Sequence, residues 1–182
     1  IFMMQYEHDN IFSKPNWTNN LICYWHFIND ILLIWKDSED CLERAKKQLS
    51  DVDTRIGFTH KMSKTQINYL DVLICLENGK LTTNIYTKPT DRNNLLHYGS
   101  FNKESFTINL PYSQLLRIKR IASTEVNYNK GKEEMNKKFK ARGYPSSIID
   151  EAIEKVNKTD RNTLLTQQWK TVKKTLVFVS KY

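Results

Sequence analysis

The chain has 182 residues, of which 40% are hydrophobic and 12% aromatic, a composition typical of a folded protein rather than a disordered one. Three cysteines, Cys23, Cys41 and Cys75, lack the paired spacing of a zinc site, and their odd number disfavours a disulfide framework, so we expect buried, reduced thiols of an intracellular protein. No apolar run reaches the roughly 20 residues of a membrane span, and we expect neither a membrane anchor nor a signal peptide.

The positive charge of the chain is confined to its second half. Residues 1–102 contain 11 basic and 12 acidic side chains, whereas residues 103–182 contain 17 and 8. Such asymmetry favours a polyanionic partner, because each neutralised phosphate releases condensed counterions. A solvated, lysine-rich helical surface is the alternative, and charge alone leaves both open.

The first elements are a helix and a β-hairpin. Residues 1–12 have helical periodicity with Phe2, Met3 and Tyr6 inward, and the chain opens within this pattern, so we expect a segment of a longer protein. A turn is predicted around Pro15. Two apolar runs, 21–28 and 31–35, then predict a hairpin whose turn is centred on Asn29 and Asp30.

A helix, a short strand and a second hairpin follow. Ser38 is a predicted N-cap for a helix that places Leu42, Ala45 and Leu49 at helical spacing. Residues 55–62 predict a short strand, and residues 67–75 and 81–86 predict a hairpin around the Asn-Gly pair at 78–79. The order of hairpin, helix and strand predicts an α+β fold with a partial antiparallel sheet and a packed helix.

The second half of the chain is predicted to form a small three-helix bundle. Pro111 begins the first helix, Thr124 caps a second that contains Gly131 and ends at Gly143, and Ser147 with Asp150 forms a capping box for the third. Residues 175–182 read as a final strand. The expected divisions are 1–100, 101–160 and a connecting segment, 161–182.

The stretch from Trp25 to Trp35 resembles the aromatic-x-Asp-Asp active-site hairpin of reverse transcriptases, most closely that of Penelope-like retroelements. The similarity continues over nearly the whole chain, through the segments 58–60, 68–72, 76–81, 86–94, 111–114 and 142–145. In these elements the palm hairpin is followed by a primer-gripping hairpin and by a thumb-like helical region described as helix-turn-helix. The resemblance therefore implies an RNA-directed DNA polymerase as the parent protein.

The resemblance also assigns catalytic and metal-binding roles to the hairpin. The family holds two magnesium ions with one upstream aspartate and the pair of acids at the hairpin tip, where this chain has Asn29 and Asp30. Asp30 is the expected metal ligand, and magnesium is expected only with an active parent enzyme. Because Asn29 is neutral and no upstream aspartate strand precedes the hairpin, we expect the isolated chain not to polymerise. His26 stands where the family has arginine.

Nucleic acid is the expected partner, as RNA template and DNA primer by resemblance, with no membrane contact, an unspecified oligomeric state and a nuclear location. Trp25 and Trp35 are interpreted as core residues in preference to base-stacking platforms. The candidate contacts to the phosphate backbone are basic side chains, namely Lys88, Arg92, Arg117, Lys119, Arg120, Lys137, Lys138, Lys140 and Arg142. A non-enzymatic nucleic-acid-binding module that uses the basic half, and a structural or interaction protein derived from element sequence, are the alternatives to the polymerase fragment.

Overall fold

Helices and two small antiparallel sheets, one of two strands and one of three, make up the described part of the chain, residues 2–52 and 56–166, in a computed structural model. The predicted α+β class is confirmed. The chain divides into two compact units, Ile1–Leu70 and Asp71–Tyr182. The divisions expected at residues 100 and 160 stay predictions, and the strand expected at 175–182 lies outside the described residues.

The first unit is built from short helices and one hairpin. Its elements are α1 (Phe2–Glu7), a π-helical turn (His8–Phe12), α2 (Pro15–Thr18), β1 (Leu21–Phe27), β2 (Asp30–Trp35), α3 (Glu39–Val52) and β3 (Gln66–Tyr69). The predicted Ser38 cap is confirmed, because its Oγ accepts a hydrogen bond from the amide of Cys41 at 3.3 Å. The turn predicted around Pro15 is a single helical turn with the proline in its first turn, a position that lacks an N–H partner in any case.

The core of the first unit lies between α1, α3 and one face of the hairpin. Its buried members are Tyr6, Ile11, Trp17, Leu42, Ala45 and Leu49. The Tyr6 hydroxyl donates to the carbonyl of Leu49 at 2.6 Å, which ties α1 to α3. Phe2 was expected to point inward, but its side chain is 56% exposed. The expectation failed because the helical pattern alone does not show where the core ends.

The strand predicted at 55–62 is wrong over its described part, 56–62, which has no strand. Ile56 and Phe58 pack against the core as irregular chain. Their apolar spacing therefore reflects burial and not strand pairing.

The second unit combines a hairpin with four helices in its described residues. Its elements are β4 (Val72–Glu77), β5 (Lys80–Ile85), α4 (Glu104–Ile121), α5 (Glu125–Lys140), α6 (Ser146–Asn157) and α7 (Arg161–Leu165). The Asn-Gly turn is confirmed, with φ of 50° at Asn78 and 74° at Gly79, the positive angles of a type I′ turn. Leu70, at φ 52°, separates β3 from β4, so the strand predicted at 67–75 is two strands.

The start of α4 differs from the prediction. The helix begins at Glu104 and runs through Pro111, which is buried inside it. A proline inside a helix removes one backbone hydrogen bond and is unfavourable in isolation. Packing of the apolar face of α4, with Leu115 and Ile118 fully buried, is the favourable term that offsets this cost.

The ends of α5 are as predicted, and the start of α6 is not. The Thr124 hydroxyl accepts from the amide of Asn127 at 3.2 Å, and Gly143 has φ 79° just beyond the helix. Ser147 was expected to cap α6 but lies within it, because α6 begins directly after Pro145 and has no side-chain cap. Pro145 directly precedes the helix, and its ring fixes its own φ angle. This restricted backbone marks the start of α6 in place of the expected serine cap.

Two clusters of buried side chains hold the helices of the second unit together. One contains Leu115, Ile118, Ala122, Tyr128, Ala152 and Val156, and the other Phe139, Tyr144 and Ile149. Thr83 joins β5 to the junction of α4 and α5, since its carbonyl accepts from the amide of Ser123 at 3.0 Å. The three cysteines are free but half-buried, not buried as expected. No helix in the described ranges is long and apolar enough to cross a membrane.

Candidate nucleic-acid interface

The tip of the first hairpin is a two-residue connection between paired strands. Phe27 pairs with Asp30, so the turn residues are Ile28 and Asn29, one position earlier than predicted. Ile28 has φ 56° and is 73% exposed. A β-branched residue in this backbone region is strained, and no burial of its side chain compensates. The tip is thus an exposed, strained turn that presents Asn29 and Asp30 to solvent.

The buried side chain of Glu7 is linked to this tip through His26. Glu7, at the end of α1, is only 7% exposed, and its Oε1 accepts from the Tyr24 hydroxyl at 2.7 Å. His26 Nδ1 lies 2.7 Å from the same oxygen, and His26 Nε2 lies 2.6 Å from the carbonyl of Ile28. Burial, and then the neighbouring Glu7 carboxylate, raise the pKa of the Tyr24 phenol far above its usual range.

Both ring nitrogens of His26 face oxygen atoms. A carbonyl oxygen only accepts, so Nε2 must carry a hydrogen. His26 therefore bridges the buried Glu7 to the strained backbone of Ile28, a role that arginine, with its several donors, could also fill.

The tip does not fit a two-magnesium centre. Its donors are one carboxylate, from Asp30, and the amide of Asn29, whereas two doubly charged ions require several hard, charged oxygens. Among the residues that the structure describes, no group of three or more His, Cys, Asp or Glu side chains could hold a metal ion. The Asp30 carbonyl accepts from the Tyr69 hydroxyl at 3.4 Å, so the backbone at this position is held within the first unit.

The two tryptophans near the tip differ in environment. Trp35 packs edge-on against Trp17, with ring centroids 5.5 Å apart, and its assignment to the core is confirmed. Trp25 is 48% exposed, so its assignment to the core was wrong. Phe27, two residues further along the same face of β1, is 54% exposed. The alternation of side chains along a strand is the sequence signal that could have paired these two exposed aromatic residues.

Four of the nine basic residues predicted to bind nucleic acid make contacts within the second unit. Arg117 pairs with Asp71, and Lys119 donates to the carbonyls of Val156 and Asn157 at 2.9 and 3.2 Å. Lys138 pairs with Asp91, and Arg142 donates to the carbonyl of Asn93. These four side chains have a role in holding the unit together, whatever they also bind.

The remaining five are exposed: Lys88, Arg92, Arg120, Lys137 and Lys140. None of them makes a side-chain hydrogen bond or ion pair with another residue in the described ranges. A cation without an internal partner is available for a phosphate at no cost in lost contacts.

Two segments distant in sequence bring four of these cations into one region. The loop that carries Lys88 and Arg92 is attached to the last turn of α5 by the Asp91–Lys138 pair and by the Asn93 amide, which donates to the Lys138 carbonyl at 3.0 Å. Lys137 and Lys140 extend into solvent from that last turn. We call Lys88, Arg92, Lys137 and Lys140 the basic patch.

The helices beside the basic patch have a helix-turn-helix arrangement. A short turn, residues 141–145, connects α5 to α6, and both pack on α4. The Tyr144 side chain is buried against Phe139, with ring centroids 4.9 Å apart, which fixes the turn. The second unit therefore contains a three-helix module of helix-turn-helix type.

Comparison with known proteins agrees with this geometry. A family model described as an animal helix-turn-helix domain matches residues 94–154, from the loop before α4 into α6. No curated protein and no solved structure matches the chain. A helix-turn-helix domain is consistent with nucleic-acid binding.

Proposed function

We propose that the chain is a nucleic-acid-binding module that descends from the palm and helical region of a Penelope-like reverse transcriptase. The observation that carries binding is the basic patch, in which four exposed cations without internal partners in the described residues lie on a loop and on the helix turn to which that loop is attached, beside a helix-turn-helix module. Its partners are template RNA and primer DNA, and its location is intracellular and nuclear, as in the parent family.

Descent from a polymerase is supported by the hairpin tip and the motifs around it. The tip is exposed, its backbone is strained at Ile28, and His26 links that backbone to the buried Glu7. Strained backbone is concentrated at active sites, where the surrounding structure maintains it. We infer that the tip is a polymerase-type hairpin in which Asn29 has removed one of the two charges, and that this chain does not add nucleotides with magnesium.

The binding claim is tested by the salt dependence of affinity for a fluorescent primer–template duplex. If all four cations of the basic patch neutralise phosphates, log K falls with log salt at a slope of roughly −3.6, that is, four contacts at about −0.9 each. A flat response would contradict nucleic-acid binding and would favour a protein-interaction role.

The catalytic claim is tested separately by primer extension. With magnesium and all four nucleotides, we expect no extension by this chain. Extension above a no-enzyme control would contradict the argument from the missing carboxylate at Asn29.

A further inference from the structure

We propose that the helix-turn-helix module binds the phosphate backbone through the basic patch and does not insert α6 into a groove to read bases. This inference rests on the proposed nucleic-acid binding and specifies its mode. In helix-turn-helix proteins that read sequence, the helix after the turn lies in the major groove and its first residues contact base edges. Here that helix is α6.

The exposed face of α6 is acidic. Its first two turns present Ser146, Ser147, Asp150 and Glu151 to solvent, with no basic residue among them. A groove lined by phosphates on both sides repels such a surface, because each carboxylate would be brought close to several negative charges.

The lysines further along α6 do not reverse this charge. Lys155 pairs with Glu151 at 2.6 Å, and Lys158, just beyond the helix, pairs with Glu154 at 2.6 Å. The Lys158 ammonium also lowers the pKa of the Glu154 carboxyl, which therefore stays ionised at neutral pH. The outward face of α6 keeps a net negative charge.

The basic patch has the opposite character. Lys137 and Lys140 are three residues apart and share one face of α5, and the only acid of the adjoining loop, Asp91, is paired with Lys138. The basic patch does not extend to the preceding turn of α5, because the side chains exposed there are those of Glu133 and Glu134. Its footprint is thus short, and it suits a few neighbouring phosphates of any sequence.

The ordinary interpretation of lysines at the end of a helix is stabilisation of its dipole. That role explains cations along the last turn of α5 but not the loop cations, Lys88 and Arg92, which belong to no helix. The attachment of this loop to the last turn of α5 supports a binding surface built from both segments.

The test compares substitutions in the patch with substitutions on α6, in the whole chain. Binding is measured by anisotropy on two duplexes of equal length and unrelated sequence over a range of salt. We expect K137Q/K140Q to reduce the salt slope by roughly 1.8 and to weaken binding roughly tenfold or more at 0.1 M salt, equally for both duplexes. We expect S147A/E151Q to leave slope and affinity within about twofold, since α6 lies outside the contact.

Three outcomes would contradict the inference. A sequence preference above roughly tenfold that S147A/E151Q removes would place α6 at the bases. An unchanged salt slope in K137Q/K140Q, with circular dichroism confirming a folded protein, would exclude the basic patch as the surface that binds phosphates. Absence of binding by the wild-type chain to either duplex would contradict the proposed function itself, and with it this mode of binding.

Discussion

Replacement of Gly131 by alanine probes the contact that sets α5 against α4. A Cβ at this position would lie 2.8 Å from Cγ2 of Ile118, whose side chain is 1% exposed and cannot move into solvent. Alanine normally stabilises a helix by about 1 kcal/mol relative to glycine. Here the methyl group overpacks a full core, at a cost of about 1–3 kcal/mol.

The net expectation for Gly131→Ala is a loss of about 1 kcal/mol in the free energy of unfolding. In a unit of this size that loss lowers Tm by roughly 4–8 °C. Urea denaturation followed by circular dichroism measures the change, with a thermal scan as the second reading.

A double-mutant cycle with Ile118→Leu isolates the clash. Leucine keeps the volume of isoleucine but lacks Cγ2, so the two changes together should cost less than the sum of their separate costs by at least about 0.5 kcal/mol. Stabilisation by Gly131→Ala alone, with no coupling to position 118, would refute the close packing of α4 and α5.

Three further predictions concern the hairpin tip and the patch loop. Ile28→Gly should raise the free energy of unfolding by about 1 kcal/mol, because glycine adopts positive φ without strain; unchanged stability in urea would contradict the strained turn. His26→Ala should cost about 2 kcal/mol by leaving the buried Glu7 side chain short of a hydrogen-bond partner, and His26→Arg should retain most of the stability, whereas an equal loss in both variants would contradict the bridge that His26 makes. The Lys138 ammonium lowers the pKa of the Asp91 carboxyl, so this pair stabilises the folded state at pH values above the ordinary carboxyl pKa of about 3.9, and the stabilisation is lost as pH falls through the lower pKa of the folded state. An NMR titration of the Asp91 carboxyl should show a midpoint below the ordinary pKa. A midpoint at or above the ordinary pKa would contradict the Asp91–Lys138 pair.

Local chemistry made several parts of the fold predictable from sequence. The caps at Ser38 and Thr124, the Asn-Gly turn and the glycine after α5 each depend on hydrogen bonds or backbone angles set within a few residues. The start of α4 was not predictable in this way. Pro111 is a helix-start signal locally, and only the tertiary burial of α4 explains why the helix continues through it.

The candidate site was predictable by residue type but not by arrangement. Basic residues of the helical half could be named from charge alone, yet the sequence could not show which were already paired. Asp91 and Lys138 are 47 residues apart in sequence, and their contact removes Lys138 from the set of unpaired cations. The same contact brings the loop that carries Lys88 and Arg92 to α5. The contact between His26 and its buried partner, Glu7, was likewise missed, because a lone glutamate at the end of a helix gives no signal of burial.

The central claim, that the basic patch binds nucleic acid, is tested most directly by neutralising the patch and, separately, an equal charge elsewhere. The patch variant is K88Q/R92Q/K137Q/K140Q. The matched control changes four exposed lysines of the first unit, K14Q/K36Q/K47Q/K61Q. Both variants lose the same net charge, so they separate a specific surface from general attraction to a polyanion.

The measurement is the slope of log K against log salt for one primer–template duplex. We predict that the control keeps a slope of roughly −3.6 and that the patch variant loses most of it. Equal slopes in the two folded variants would contradict the account, because binding would then depend on net charge and not on the surface that the loop and α5 form together.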